Sequence, residues 1–189
     1  PPAPAPAAAP APPPPAGEVA FTLKEKDLIP GGIAHDPVTG AFFLGSIHKR
    51  KIVTVGADGA ARDFAPRGRD GLWNVQGMRV DPERRHLWAL TNGYERIREE
   101  AGRAGAFKYD LTTGKVLSRY LVDDGSRKHL FDDVAITREG EAFITDTVAG
   151  TIYRIAPGKD VLERFLDPNT IRYPNGITVS DDGKNLFVV

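Results

Sequence analysis

Four stretches of this chain repeat one layout: GIAHDPVTGAFFLGSI from Gly32, GMRVDPERRHLWALTN from Gly77, DVAITREGEAFITDTV from Asp133 and GITVSDDGKNLFVV from Gly176. Each reads as a strand, a polar turn and a second strand, with apolar residues recurring at the strand period. Ile33, Met78, Val134 and Ile177 occupy the same place in the four copies, at intervals of 45, 56 and 43 residues. A unit of this size cannot bury its own apolar faces, so the copies must stack on one another.

The other half of each unit agrees. KIVTVGADG, GAFKYDLTTG and GTIYRIAPG supply a third strand that ends in a turn glycine, and a fourth strand follows that closes on Phe64, Tyr120 or Phe165. Four antiparallel strands at this spacing predict an all-β fold, a β-propeller of four-stranded antiparallel blades. The longest interval contains YERIREEAGR at 94–103, a charged insertion expected as a surface loop or short helix. A sandwich of short strands is the weaker alternative, because a sandwich does not require the copies to match position by position.

Composition narrows the function classes. Lys plus Arg equals Asp plus Glu at 25 each, and no basic cluster exceeds HKRK, so nucleic acid is not an expected partner. No apolar run is long enough to span a membrane, and no signal peptide is visible. Cysteine is absent, which excludes a disulfide framework, a thiolate metal site and a cysteine nucleophile. Residues 1–17, beginning PPAPAPAAAPAPPPPA, read as a proline- and alanine-rich disordered linker, a semi-rigid tether with no chemistry of its own. Residues 18–189 read as the propeller. A tethered domain whose first residue is Pro1 suggests a secreted or periplasmic protein; a cytoplasmic one with a low-complexity arm is the alternative.

The residue two places before the aligned apolar position is Gly31, Gln76, Asp132 and Asn175. Innermost strands of a propeller run along the central channel, so this column is a candidate ring of side chains. Two of its members carry a resemblance. YPNGITVSDDGKNLFV and FDDVAITREGEAFITD are similar to the Pro-Asn-Gly and Phe-Asn-Asp strands of the six-bladed propellers of the senescence marker protein, gluconolactonase and luciferin-regenerating enzyme family. That resemblance covers residues 18–189 and implies about three and a half blades of a six-bladed ring, hence a fragment. It also implies a divalent cation in the channel, Ca2+ or else Zn2+, Mn2+ or Mg2+, with Asn175 as the fourth-blade ligand and Asp132 where the third-blade Asn is expected. Two departures stand out: Gly31 replaces the first-blade Glu, and the position of the fifth-blade Asp lies beyond Val189.

Acid and amide oxygens suit a hard cation, whereas imidazole and thiolate favour softer ions. Asp132 is either a ligand or a strand-entry acceptor of loop amides, and Asn175 is either a ligand or a residue of an Asn-Gly turn. Asp133 should point away from Asp132, as supporting or buried acceptor. Gln76 offers an amide oxygen; Trp73 and Asn74 either line a substrate pocket or pack between blades. Ser46, Asn92 and Asp146 share the end of the second strand, a recurring polar place that reads as a turn cap, with Asp146 the strongest exception. Asp36, Asp81 and Asp182 read as turn residues. The histidines at 35, 48, 86 and 129 lack metal-ligand spacing, and only His129, just before the acid pair, is a candidate proton carrier. No Gly-x-Ser-x-Gly elbow is present, against a serine hydrolase.

The resemblance implies a metal-dependent hydrolase of a lactone or related ester, acting on a small-molecule substrate. The alternative is a non-catalytic propeller that binds a ligand or a partner protein; a condensing enzyme of the strictosidine synthase type is a third reading. Residues 18–24 are expected to supply the outer strand of the last blade, and the apolar edge of NLFVV is expected to drive association.

Overall fold

The computed structural model describes residues 17–93, 95–122, 124–126 and 128–189, so the linker expected over 1–17 lies, except for Gly17, outside the described residues. Each repeat forms one sheet in simple meander order. Blade I is β1 (Pro30–His35), β2 (Phe42–Ser46), β3 (Lys51–Val55) and β4 (Ala61–Ala65). Blade II is β5 (Asn74–Asp81), β6 (His86–Asn92), β7 (Ala104–Asp110) and β8 (Val116–Leu121). Blade III is β9 (Phe131–Ile136), β10 (Ala142–Asp146), β11 (Thr151–Ile155) and the short β12 (Glu163–Arg164). Blade IV contributes β13 (Ile177–Val179) and β14 (Leu186–Val188). All neighbouring strands are antiparallel, as the repeats predict. A 3-10 turn, Arg69–Gly71, lies on the path from β4 to β5.

Alternation along the strands builds one core between each pair of blades. Phe43, Ile52, Val75 and Phe107 meet between blades I and II, and Trp88, Leu90, Phe131 and Ile144 between blades II and III. Phe143, Ile152 and Ile177 join blades III and IV. The outer face of blade I is covered by residues 17–29, which form no strand: Phe21 and Leu23 pack with Leu28, Leu44, Val53 and Val55. Residues 18–24, expected as the outer strand of the last blade, pair in no sheet of the described residues and cap this apolar face. The insertion, where described, forms turns, and Glu100 pairs with Arg50 of blade I at 2.8 Å.

The hairpin turns at the lower end hold the blades together. Asp36, Asp81 and Asp182 each accept bonds from their own turns, as expected of turn acids. Asp36 does more. Its carboxylate is buried and takes a bidentate pair from Arg85 of blade II at 2.6 and 2.7 Å. The Arg85 guanidinium holds the Asp36 carboxyl well below its ordinary range, against the opposing effect of burial. Arg85 also adopts a left-handed backbone, φ 55°, at the turn place where the other hairpins have Gly40, Gly140 and Gly183. The ion pair between blades thus holds a conformation that costs an L residue about 1 kcal/mol.

Replacing Arg85 should therefore separate the two effects. Arg85→Ala is expected to lose about 2 kcal/mol in urea unfolding, since a buried carboxylate is left without its cation. Arg85→Gly should lose about 1 kcal/mol less, because it removes the backbone strain as well. The Asp36 contribution, present above the ordinary carboxylate range near pH 4, should fall away as the pH drops below it.

Candidate functional site

β1, β5, β9 and β13 lie side by side and bring the column Gly31, Gln76, Asp132 and Asn175 to the inner edge of the blades. The following column, Gly32, Gly77, Asp133 and Gly176, sets how closely those strands approach. A Cβ at Gly32 would overlap the Gln76 carbonyl, and one at Gly77 the Asp132 carbonyl. Backbone therefore rests on backbone from blade I to II and from II to III, which only glycine permits. A Cβ at Gly31 would lie 2.5 Å from the Val75 carbonyl oxygen. The carboxylate missing there has no room without a backbone shift.

Blade III departs from this pattern. Asp133 stands where the other blades have glycine, and its carboxylate accepts N–H bonds from Val134 at 2.8 Å and from Ile177 of blade IV at 3.1 Å. It acts as a spacer that docks β13. Two hydroxyls complete the junction: Thr145 donates to the Asn175 carbonyl at 2.6 Å and Thr147 to the Pro174 carbonyl at 2.7 Å.

Asp132 sits beside this junction, half-buried. The Gln76 amide approaches one carboxylate oxygen at 3.5 Å, and the Thr147 hydroxyl lies 3.2 Å from the other. Neither is a strong donor to it. The first distance is at the limit of a hydrogen bond, and the single Thr147 proton is better placed on Pro174. A half-buried carboxylate with two long contacts keeps much of its charge available to a ligand. Asn175 enters the junction through its backbone, N–H to Val189 at 2.7 Å, while its side chain is exposed. On β5, Asn74 is 9% exposed, yet its Oδ1 is buried and has no partner among the described residues. Trp73 donates its backbone N–H to the Thr91 hydroxyl at 2.7 Å and carries the Arg103 guanidinium 5.1 Å from its ring centre.

The recurring polar place at the end of the second strand ties down the entry to an inner strand, as the turn-cap reading expects. Ser46 donates to the Leu28 carbonyl, Asn92 exchanges two bonds with Phe131, and Asp146 accepts the Leu130 N–H at 3.0 Å. Asp146 is fully buried and also bonds His129 Nδ1 at 2.6 Å. His129 Nε2 lies 2.9 Å from Asp124 Oδ1 and 3.0 Å from Ser126 Oγ. The Ser126, His129 and Asp146 line resembles a nucleophile relay, but a carboxylate shares the same ring nitrogen, which favours a doubly protonated ring rather than a base. Asp124, Thr145 and Thr147 escape a reading of the sequence alone. The alternation of Thr145, Asp146 and Thr147 was the available signal, since it puts the two threonines on one face.

Neither a family model nor a curated protein matches the chain. Solved structures do. A chain of a nidogen/laminin complex superposes with a TM-score of 0.63 at 20% identity, over 85% of this chain and 55% of that one. The fold is a β-propeller. A gluconolactonase from Xanthomonas campestris gives 0.59 at 21% identity, over 83% of this chain and 52% of that one. A catalytically inactive virginiamycin B lyase from Staphylococcus aureus, solved with quinupristin, gives 0.63 at 19%, over 88% and 50%. The chain spans about half the length of each of these structures. Enzymes and a protein complex are both represented, so the architecture alone does not select an activity. No helix is long and apolar enough to cross a membrane among the described residues.

A metal must be judged on the donors present. Among the described residues no three His, Asp or Glu side chains converge as a cage. What meets at Asp132 is its under-bonded carboxylate, the Gln76 amide, which presents its nitrogen, and the Thr147 hydroxyl; Asn74, two residues before Gln76, has a buried oxygen without a partner among the described residues. Carboxylate, amide and hydroxyl groups suit a hard, water-sharing cation such as Ca2+ or Mg2+ rather than Zn2+, provided the Gln76 amide turns its oxygen to the ion.

Asp133→Ala should test the spacer. Removing the acceptor of two inner-strand N–H groups is expected to cost about 2 kcal/mol, with Asp133→Asn nearer wild type. Faster hydrogen exchange at Ile177, with Val80 unchanged, would mark the loss as local to β13.

Proposed function

We propose that the inner edge at blades II to IV binds a hard divalent cation, Ca2+ in the first place, and that the protein hydrolyses a lactone or related ester there. The observation that supports this most is the Asp132 carboxylate, half-buried beside Gln76 and Thr147 without a strong donor of its own. Asp132 and Asn175 would hold the ion, with Gln76 as a further donor once its amide turns its oxygen inward. When bound, such an ion polarises an ester carbonyl and stabilises the oxyanion that develops on it. The chain's own part is placement: Asp133, Thr145 and Thr147 fix the Pro174–Asn175 segment against blade III, and Trp73 with Arg103 offers a flat wall for a substrate ring. His129 is buried among carboxylates, so it is not the base of this reading.

A second reading, a propeller that binds a ligand or partner protein without chemistry, is favoured by Gly31. Its neighbours leave no space for a first-blade carboxylate, so the cation would be held with one acid fewer.

Calorimetric titration with CaCl2 separates these from a site that holds no ion. The wild-type chain should bind saturably, Asp132→Asn should bind at least about tenfold more weakly, and Asp182→Asn, on the exposed turn of blade IV, should match wild type. Equal binding by wild type and Asp132→Asn would overturn the cation site. Calcium binding without any chelator-sensitive turnover across a lactone and ester panel would select the second reading.

A further inference from the structure

A cluster outside the inner edge, at the upper end of blade III, joins three parts of the chain through one buried ring. His129 is 6% exposed. Nδ1 faces Asp146 at the end of β10, and Nε2 faces Asp124 and Ser126 on the connection leaving β8. Its backbone N–H reaches the Gly102 carbonyl at 3.2 Å, and the edge of the ring meets Tyr153 of β11 at 6.4 Å between centres. Arg164 of β12 approaches Asp124 from the other side at 3.3 Å. Asp124 Oδ1 also accepts the Ser126 N–H at 2.9 Å, and Asp146 Oδ1 the Leu130 N–H at 3.0 Å.

We propose that His129 is a proton-dependent latch: charged, it bridges Asp124 and Asp146 and docks the connection from β8 onto blade III; neutral, it keeps Asp146 but exchanges Asp124 for Ser126. The geometry requires the choice. Two carboxylates, one on each nitrogen, need both ring protons, whereas a neutral ring with its proton on Nδ1 presents a lone pair to Asp124 at 2.9 Å. That contact is repulsive, and among the described residues the Ser126 hydroxyl is the other partner within reach, which then donates to Nε2. Burial opposes the charge on the ring, and the two carboxylates outweigh it, raising the His129 pKa above its ordinary value. Asp124 is correspondingly held low, by His129 first and the Ser126 N–H next. The sign follows: the latch contributes fully below the ordinary histidine range and is lost as pH rises through the raised value. Because Leu130 leads directly into β9, which begins at Phe131, the latch governs how firmly the strand bearing Asp132 is anchored. It does not depend on whether the inner edge binds a cation.

Hydrogen exchange of the Ser126 and Leu130 amides by NMR, corrected for the intrinsic pH dependence, tests this at about pH 6 and about pH 8.5, either side of the histidine range. In the wild-type chain protection of Ser126 should fall about tenfold at the higher pH, with Leu130 following less. Asp124→Asn retains the pairing of His129 with Asp146 and should show no such step, and His129→Gln should show none either. The same step in Asp124→Asn, or no step in wild type, would overturn the latch. Because His35, His48 and His86 are present in every variant, they cannot produce the difference. Should His129→Gln fail to fold, Asp124→Asn decides alone.

Discussion

The contact on which the rest of the structure depends is the approach of one innermost strand to the next without side chains between them. Gly32 lets β1 rest on the Gln76 carbonyl, and Gly77 lets β5 rest on the Asp132 carbonyl. Inner strands brought this close carry the preceding column, Gln76 and Asp132 included, to a common edge. The third junction uses a different solution. Asp133 fills the place of a glycine, and its carboxylate, with Thr145 and Thr147, holds β13 through hydrogen bonds rather than backbone contact. The polar site therefore spans two junctions, Gln76 facing Asp132 across the backbone contact of blades II and III, and Thr147 reaching from blade III to Pro174 of the segment that leads into β13.

Both ends of the blades reinforce this spacing with charge. At the lower end, Asp36 and Arg85 clamp blades I and II, and Arg84 reaches from blade II to the Arg138 carbonyl of blade III. At the upper end, Asn92 of blade II fixes the start of β9, and Asp146 with His129 fixes the residues just before it. The strand that carries Asp132 is thus anchored from two blades before it reaches the inner edge. Such redundancy suits a residue whose carboxylate has few partners of its own, because the backbone must hold what the side chain does not.

Much of this was legible in the residues. Repeats of fixed layout predict the blades, and the strand period predicts which faces they bury, because both are local properties of the chain. Gln76 and Asp132 could be aligned for the same reason. What could not be read were the pairings that depend on how one blade sits against the next. Asp36 looked like any turn acid until Arg85 of the neighbouring hairpin reached it. Asp133 was readable as a supporting acceptor, but not that one of the N–H groups it accepts belongs to Ile177 of the next blade. His129 was singled out for its position before the acid pair, yet its partners Asp124 and Asp146 come from the connection before it and from the far end of β10. Residues 18–24 read as a strand by analogy with ring closure, but Phe21 and Leu23 pack on blade I instead.

The central claim is that side chains of separate blades converge at the inner edge, and the absence of cysteine from the chain makes it open to a direct measurement. Thiols introduced as Gln76→Cys and Asp132→Cys in one chain should be joined efficiently by a short bifunctional thiol reagent. The pair Gln76→Cys and Asp182→Cys, the latter on the lower turn of blade IV, should not be joined. Linkage of the first pair well above the second is the expected result; equal or absent linkage would contradict the convergence and leave only the blades.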